Sequence, residues 1–197
     1  AEAYVNDAFG AAHRAHASTA GIATHVAERA AGFLMERELE ALAQLLEKPD
    51  RPFIAILGGA KISGKIDVLP NLLPRVDLVA IGGGMMFTFL RAKGLETGRS
   101  LVEEDRVPVA REVLARPGAS QSLLLPTDCL VAQDVSGKDP GRTVSVEALP
   151  PDLMGVDIGA RSLQAIADAI AGARTVFWNG PMGVFEAPAY AAGTIGV

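Results

Sequence analysis

The sequence predicts an α/β fold built on a parallel sheet. Two observations carry that expectation. Short continuous apolar runs alternate with segments of helical period, and glycine-rich turns follow the clearest runs directly. An apolar run without polar alternation suits a strand covered on both faces. Parallel sheets of this kind present ligand loops at the carboxyl ends of their strands.

The elements follow in order. Tyr4 and Val5 close a first strand, and residues 6–18, polar and bearing His13 and His16, read as loop. Met35, Leu39, Leu42 and Leu46 recur at helical spacing, with Glu36, Arg37, Glu38 and Glu40 on much of the other face. Pro49 stops that helix. Phe53–Leu57 is an apolar strand ended by Gly58 and Gly59. Residues 65–73 form a short helix interrupted by Pro70, and residues 76–81 a second buried strand ended by Gly82, Gly83 and Gly84. Helices follow over 85–93 and 103–115, the latter with Glu103, Glu104 and Asp105 in its first turn, where the helix dipole favours negative charge. Residues 122–125, 129–132 and 143–146 are further strands, 161–171 a helix and 175–178 a last strand. Asp157 reads as a loop or cap carboxylate. A boundary falls near Pro49. Residues 50–197 form most of one α/β domain, and residues 1–29, poor in apolar side chains, look like the tail of an earlier one.

Composition narrows the function. Hydrophobic residues make up 49% and aromatics only 5%, so the core is built from Ala, Val, Leu and Ile. A formal net charge of -5 argues against broad attraction to nucleic acid. No apolar run reaches the roughly 20 residues of a spanning helix, and no secretory leader pattern is visible. Cys129, the single cysteine, has no internal disulfide partner and no metal-ligand spacing around it, so a cytoplasmic setting is the simple expectation. The chain opens in mid-pattern at Ala1 and stops at Val197 without a closing pattern, so both ends look cut.

Four clusters have the chemistry of a site. His13, Arg14 and His16 put two imidazoles and a guanidinium in one loop, suited to phosphate or carboxylate oxygens and equally to a solvated surface. Residues 58–65 combine small residues with Lys61 and Lys65, four apart. This stretch lacks the GxxxxGK[ST] form because Ile66 follows Lys65, yet it can cradle an anion before a helix N-terminus. Gly82, Gly83 and Gly84 let a flat ligand approach the backbone, with Met85, Met86 and Phe87 as an apolar wall, although a tight turn alone needs the same glycines. Asn179 and Glu186 flank a rigid Gly-Pro segment, and Glu186 suits a ribose diol as well as a plain turn. No nucleophile elbow or zinc spacing appears, and the GxGxxG with a downstream acidic residue that would mark a different α/β nucleotide-binding enzyme, such as a dehydrogenase or another kinase, is lacking. A non-catalytic binding module with the same fold is the rival from another class.

Taken in order, YVNDAFGAAHRAHAS (4–18), AAGFLMERELEAL (30–42), ILGGAKISGKIDVLPNLL (56–73), GGGMMFTFL (82–90), MGVDIG (154–159) and TVFWNGPMGVFE (175–186) resemble the phosphoglycerate kinase family. The resemblance runs along the whole chain. It implies a Rossmann-like three-layer nucleotide-binding lobe over 49–197, an interlobe connector helix over 30–48, and the end of a phosphoglycerate-binding lobe over 1–29. It implies transfer of a phosphoryl group between 1,3-bisphosphoglycerate and ADP, giving 3-phosphoglycerate and ATP, with magnesium as the nucleotide's metal. Arg14 would contact the phosphoglycerate, with His13 and His16 in the basic patch around it. Lys61 would follow the transferring phosphoryl group, and Lys65 would hold nucleotide phosphates. Gly82, Gly83, Gly84 and Gly155 would border the adenine pocket, Asn179 would lie near the phosphates and Glu186 would bind the ribose. The metal's aspartate belongs to a family loop that this sequence does not contain, so the chain alone is expected to be inactive. The family pattern is monomeric and has no nucleic-acid or membrane partner. Two departures stand out: Gly64 where the family often has a polar residue, and Ala160 where it has proline.

Overall fold

A computed structural model describes residues 1–60 and 63–197, with the Leu46 side chain also outside the description. The chain divides into two compact units, Ala1–Pro49 and Asp50–Val197.

In the first unit, strands β1 (Ala3–Asn6) and β2 (Glu28–Ala31) pair in parallel, and helix α1 (Phe33–Glu47) follows. The Asp7 carboxylate accepts the backbone N–H groups of Leu34 and Met35 at 2.8 and 3.0 Å. It thus satisfies donors that the first helical turn leaves unpaired. A Cβ at Gly32 would collide with that carboxylate, so glycine is needed at the helix entry. Of the apolar stripe expected on α1, Met35 is buried while Leu39 and Leu42 stay exposed. The unit is too small to cover the whole stripe. The strand β2 was not anticipated, because its sequence ERAA has neither alternation nor β-branched residues.

In the second unit, β3 (Phe53–Leu57), a short helix α2 (Leu69–Leu72), β4 (Leu78–Ile81), α3 (Met85–Ala92), α4 (Val107–Leu114), α5 (Ala119–Ser122) and β5 (Leu123–Leu124) follow in turn. Then come β6 (Asp128–Ala132), β7 (Arg142–Ser145), β8 (Met154–Ile158), α6 (Ala160–Ala171), β9 (Thr175–Asn179) and α7 (Ala192–Gly196). A four-stranded parallel sheet has the order β5-β4-β3-β9. Its centre, β3, is buried at every residue, as expected of an unbroken apolar run between two covered faces. Helix α3 is buried along nearly its whole length and packs on α4.

The second sheet departs from expectation. Strands β7, β6 and β8 form a separate three-stranded antiparallel sheet rather than an extension of the parallel one. The reason is connection length. Residues 133–141 join β6 to β7 without a helix, and a parallel return needs a crossover of a dozen or more residues. This sheet has its own small core of Ala132, Val156, Ala187 and Tyr190. The buried Tyr190 hydroxyl donates to the Asp139 carbonyl at 2.6 Å. Asp157 is not in a loop or at a cap, as the sequence reading had it. It lies within β8 and is 3% exposed. Burial pushes the Cys129 thiol on β6 up to about 12, helped by the neighbouring Asp128 carboxylate, so it is inert.

Asp128 ties β6 to the start of α6. Its oxygens accept the Ser162 hydroxyl at 2.6 Å and the N–H groups of Ser162 and Arg161 at 2.9 and 3.1 Å. Ala160 fills the first helical position, where proline's missing N–H would leave no bond unmade, so alanine replaces proline without loss of a partner. No helix among the described residues is long and apolar enough to cross a membrane.

Desolvation works against the Asp128 carboxylate, but the Ser162 and Arg161 donors together hold it below the usual carboxylate range. A depressed carboxylate stabilises the fold above its unfolded pKa, about 3.9, and that contribution fades as pH falls through the folded value. Replacing Ser162 by alanine removes the hydroxyl donor and the acceptor for the Thr127 and Asp128 N–H groups. The expected loss is about 2 kcal/mol at neutral pH, read by urea denaturation, and it shrinks on acidification.

Candidate functional site

The carboxyl ends of β3, β4 and β9 meet in one place because glycines at their ends let backbone approach backbone. Gly58 donates to the Asn179 carbonyl at 2.9 Å, Gly59 to Pro181 at 2.7 Å, and Gly83 to Met182 at 2.9 Å. Met85 completes the lattice by donating to Gly59 at 3.2 Å. Gly83 has φ +59, and a Cβ there would fall 2.5 Å from the Gly59 nitrogen. Both the turn and the close approach therefore require glycine.

Lys65 reaches into this lattice. Its Nζ donates to the Gly58 carbonyl at 2.6 Å and lies 3.3 Å from the Asn179 carbonyl. The side chain is half-buried, and desolvation lowers the pKa of its ammonium. A negative ligand beside it would offset that effect.

Beside the lattice lies a cleft of about 540 Å³. Its floor is bare backbone at Gly59, Gly83, Gly84 and Gly155, and its walls include Met86, Phe87, Leu101, Val135 and Val184. The carboxylates on it are Asp157 and Glu186, the latter exposed. Gly155 is held by its N–H to the Ser100 Oγ at 2.9 Å, and a Cβ on it would run into the Phe87 ring. Burial, outweighing the Gly193 and Ile158 N–H groups, raises the Asp157 carboxyl to about 6.

The predicted site residues therefore separate into groups. Gly83, Gly84, Gly155 and Glu186 converge on the cleft. Lys65 and Asn179 belong to the lattice at its edge, Asn179 through its carbonyl. Gly82 is buried against the Met182 side chain and is not part of the cleft lining. Of the expected apolar wall, Met86 and Phe87 face the cleft while Met85 is wholly buried. Lys61 lies outside the described residues. Leu101, Val135 and Asp157 were not anticipated as lining. Each is distant in sequence from the glycine turns, and only the packing of loops and of the second sheet around the cleft brings them near.

His13, Arg14 and His16 belong to the first unit, where all three are exposed. Arg14 Nε donates to His13 Nε2 at 3.3 Å. The buried Thr19 fixes the loop behind them: its hydroxyl lies 2.6 Å from the Arg14 carbonyl and accepts the His16 N–H at 3.0 Å.

A glycine-floored cleft at the carboxyl ends of parallel strands, edged by a lysine, defines an α/β protein with a site for a small ligand. The comparisons with known proteins refine that class. The sequence profile "Phosphoglycerate kinase" matches residues 1–197. The phosphoglycerate kinase of Chlorobium chlorochromatii is 55% identical over 197 residues, covering 100% of this chain and 50% of the relative. That of Moorella thermoacetica is also 55% identical, covering 98% of this chain and 49% of the relative. The solved phosphoglycerate kinase from Coxiella burnetii superposes with a TM-score of 0.88 at 39% identity, over 99% of this chain and 50% of that one. The chain belongs to the phosphoglycerate kinase family. It spans about half the length of the curated relatives it matches.

The contact between Gly155 and Phe87 gives a test of the cleft wall. Gly155→Ala is expected to lower stability by about 1–3 kcal/mol through overpacking. Adding Phe87→Leu should recover part of that loss. Thermal denaturation of the two single variants and the double variant measures the coupling, and strictly additive effects would mean that the two residues do not press on each other.

Proposed function

We propose that the intact protein transfers a phosphoryl group between 1,3-bisphosphoglycerate and ADP, with the cleft of the second unit as its nucleotide site. The observation that carries this reading is the side-chain-free floor of Gly83, Gly84 and Gly155 under apolar walls, with the Glu186 carboxylate at the edge, in a chain of this family. A flat base fits against bare backbone and apolar side chains. A carboxylate at the edge accepts hydrogen bonds from a ribose diol, and the Lys65 ammonium, held on the Gly58 carbonyl of the adjoining lattice, is assigned the phosphates.

In the reaction, a β-phosphate oxygen of ADP attacks the acyl phosphate phosphorus. The bond from phosphorus to the carboxyl oxygen breaks, and 3-phosphoglycerate leaves as its carboxylate. Cationic groups stabilise the charge spread over the equatorial oxygens of the transferring group. Lys61 is assigned that role, and Arg14, flanked by His13 and His16, is assigned the phosphoglycerate. Among the described residues no cluster of three His, Cys, Asp or Glu side chains could hold a metal ion.

The domain reading is likewise a proposal: residues 1–29 end a phosphoglycerate-binding lobe, 30–48 connect, and 49–197 form most of the nucleotide lobe. The 197 residues alone are proposed to be inactive, and the intact protein a cytoplasmic monomer.

Two variants of the full-length protein test the assignment. Glu186→Ala is expected to weaken ADP binding by about tenfold with a smaller effect on turnover, since the lost contact is to the bound ligand throughout. An unaltered dissociation constant by calorimetry removes the ribose contact. Lys61→Ala is expected to lower kcat by roughly a hundredfold or more, with nucleotide affinity changed far less. A coupled assay that finds turnover intact rejects the role of Lys61.

A further inference from the structure

Asp157 has no place in the reaction outlined above, yet it is the most unusual carboxylate of the second unit. It is 3% exposed and still lines the cleft. Its Oδ2 accepts the Gly193 N–H of α7 at 2.7 Å, and its Oδ1 accepts the Ile158 N–H at 2.9 Å. Gly183, in the loop after β9, and Gly193 both lie so close that a Cβ on either would strike the carboxylate. The loop after β9 is tied at two points. Met182 donates to the Thr194 Oγ1 of α7 at 3.0 Å, and Val184 donates to the Val156 carbonyl of β8 at 2.8 Å. Glu186 stands two residues beyond that last bond.

We propose that Asp157 is a positioning residue: through α7, whose Gly193 it binds and whose Thr194 accepts the Met182 N–H, it holds the loop bearing Glu186 against the cleft, and so sets the affinity for the ribosyl part of a nucleotide. This rests on the nucleotide reading of the cleft. The ionised carboxylate accepts on both oxygens, as the two N–H groups require. The protonated form can still accept on both oxygens, but its hydroxyl oxygen is a much weaker acceptor than a carboxylate oxygen, so one of the two N–H bonds is weakened.

Burial opposes the charge that this role needs, and the carboxyl is raised to about 6. No cation among the described residues offsets it. The titratable groups on the elements packed around it include Asp128 and Cys129 on β6, Glu186 in the loop, Tyr190 just before α7, and Arg91 on α3, which pairs with Glu96 and Glu104. Helix α7 has none. A carboxyl raised in the fold stabilises it most below the unfolded pKa, about 3.9, and that contribution is lost as pH rises through the folded value. At neutral pH Asp157 therefore works against stability while serving the loop.

Asp157→Asn keeps the shape, removes the buried charge and sets a donor-only NH2 against one of the two N–H groups. In the full-length protein at about pH 7.5, the variant is expected to bind Mg-ADP about tenfold more weakly, with Tm unchanged or raised and kcat less affected than KM. Calorimetric titration and thermal scans read both quantities. Unchanged affinity overturns the proposal, and so does weaker binding accompanied by a lower Tm, which marks a purely structural carboxylate. Wild-type protein that fails to bind Mg-ADP overturns the nucleotide reading itself. Should the variant not fold, adenosine binding by the wild type decides, because adenosine has no phosphate titrating in this range. Its affinity is expected to fall about tenfold from about pH 7.5 to about pH 5, and a flat profile overturns the proposal.

Discussion

The architecture of the second unit depends on how closely backbone can approach backbone at the ends of β3, β4 and β9. Gly58, Gly59 and Gly83 each donate to a carbonyl of the segment from Asn179 to Met182, at distances of 2.7–2.9 Å. A Cβ at any of these three glycines would meet neighbouring backbone or the Lys65 amine. These bonds leave few backbone groups unsatisfied where three loops converge, a condition that buried loops otherwise meet poorly. The bare cleft floor follows from the same absence of side chains. Scaffold and site are thus set by one constraint.

Charge in this region is arranged against desolvation rather than with it. Lys65 sits half-buried on carbonyl oxygens, its pKa lowered, and Asp157 sits buried on N–H groups, its pKa raised. Neither is in an ion pair among the described residues. Asp128, also buried, is instead satisfied by a hydroxyl, two N–H groups and a guanidinium, and its carboxyl is depressed. The contrast between the two aspartates lies in the number of donors each receives. One stabilises the junction of β6 and α6, while the other holds a loop at the cleft.

Much of the unit was legible because its signals were local. The run Phe53–Leu57 became β3 with those same bounds, and the glycine turns after β3 and β4 lie where the parallel-sheet rule places a ligand site. Helices expected over 85–93, 103–115 and 161–171 formed as α3, α4 and α6, with ends shifted by a few residues. What was missed lacked such a signal. Strand β8, written MGVDI, contains a glycine and an aspartate and shows no β-branched run, so it read as loop. Strand β2 failed for the same reason.

The sequence by itself determined the α/β class, the central strands, the glycine turns and the family, because each resides in short stretches whose chemistry does not depend on distant partners. Only the tertiary structure decided that β6, β7 and β8 form a separate antiparallel sheet, since pairing is a long-range choice set by connection length. It also decided that Gly155 meets Phe87, that Leu101 and Val135 wall the cleft, and that Asp157 is buried beneath Gly183 and Gly193. Burial, and with it the carboxyl's raised pKa, is a property of what surrounds a side chain, and the residues around Asp157 come from segments far apart along the chain.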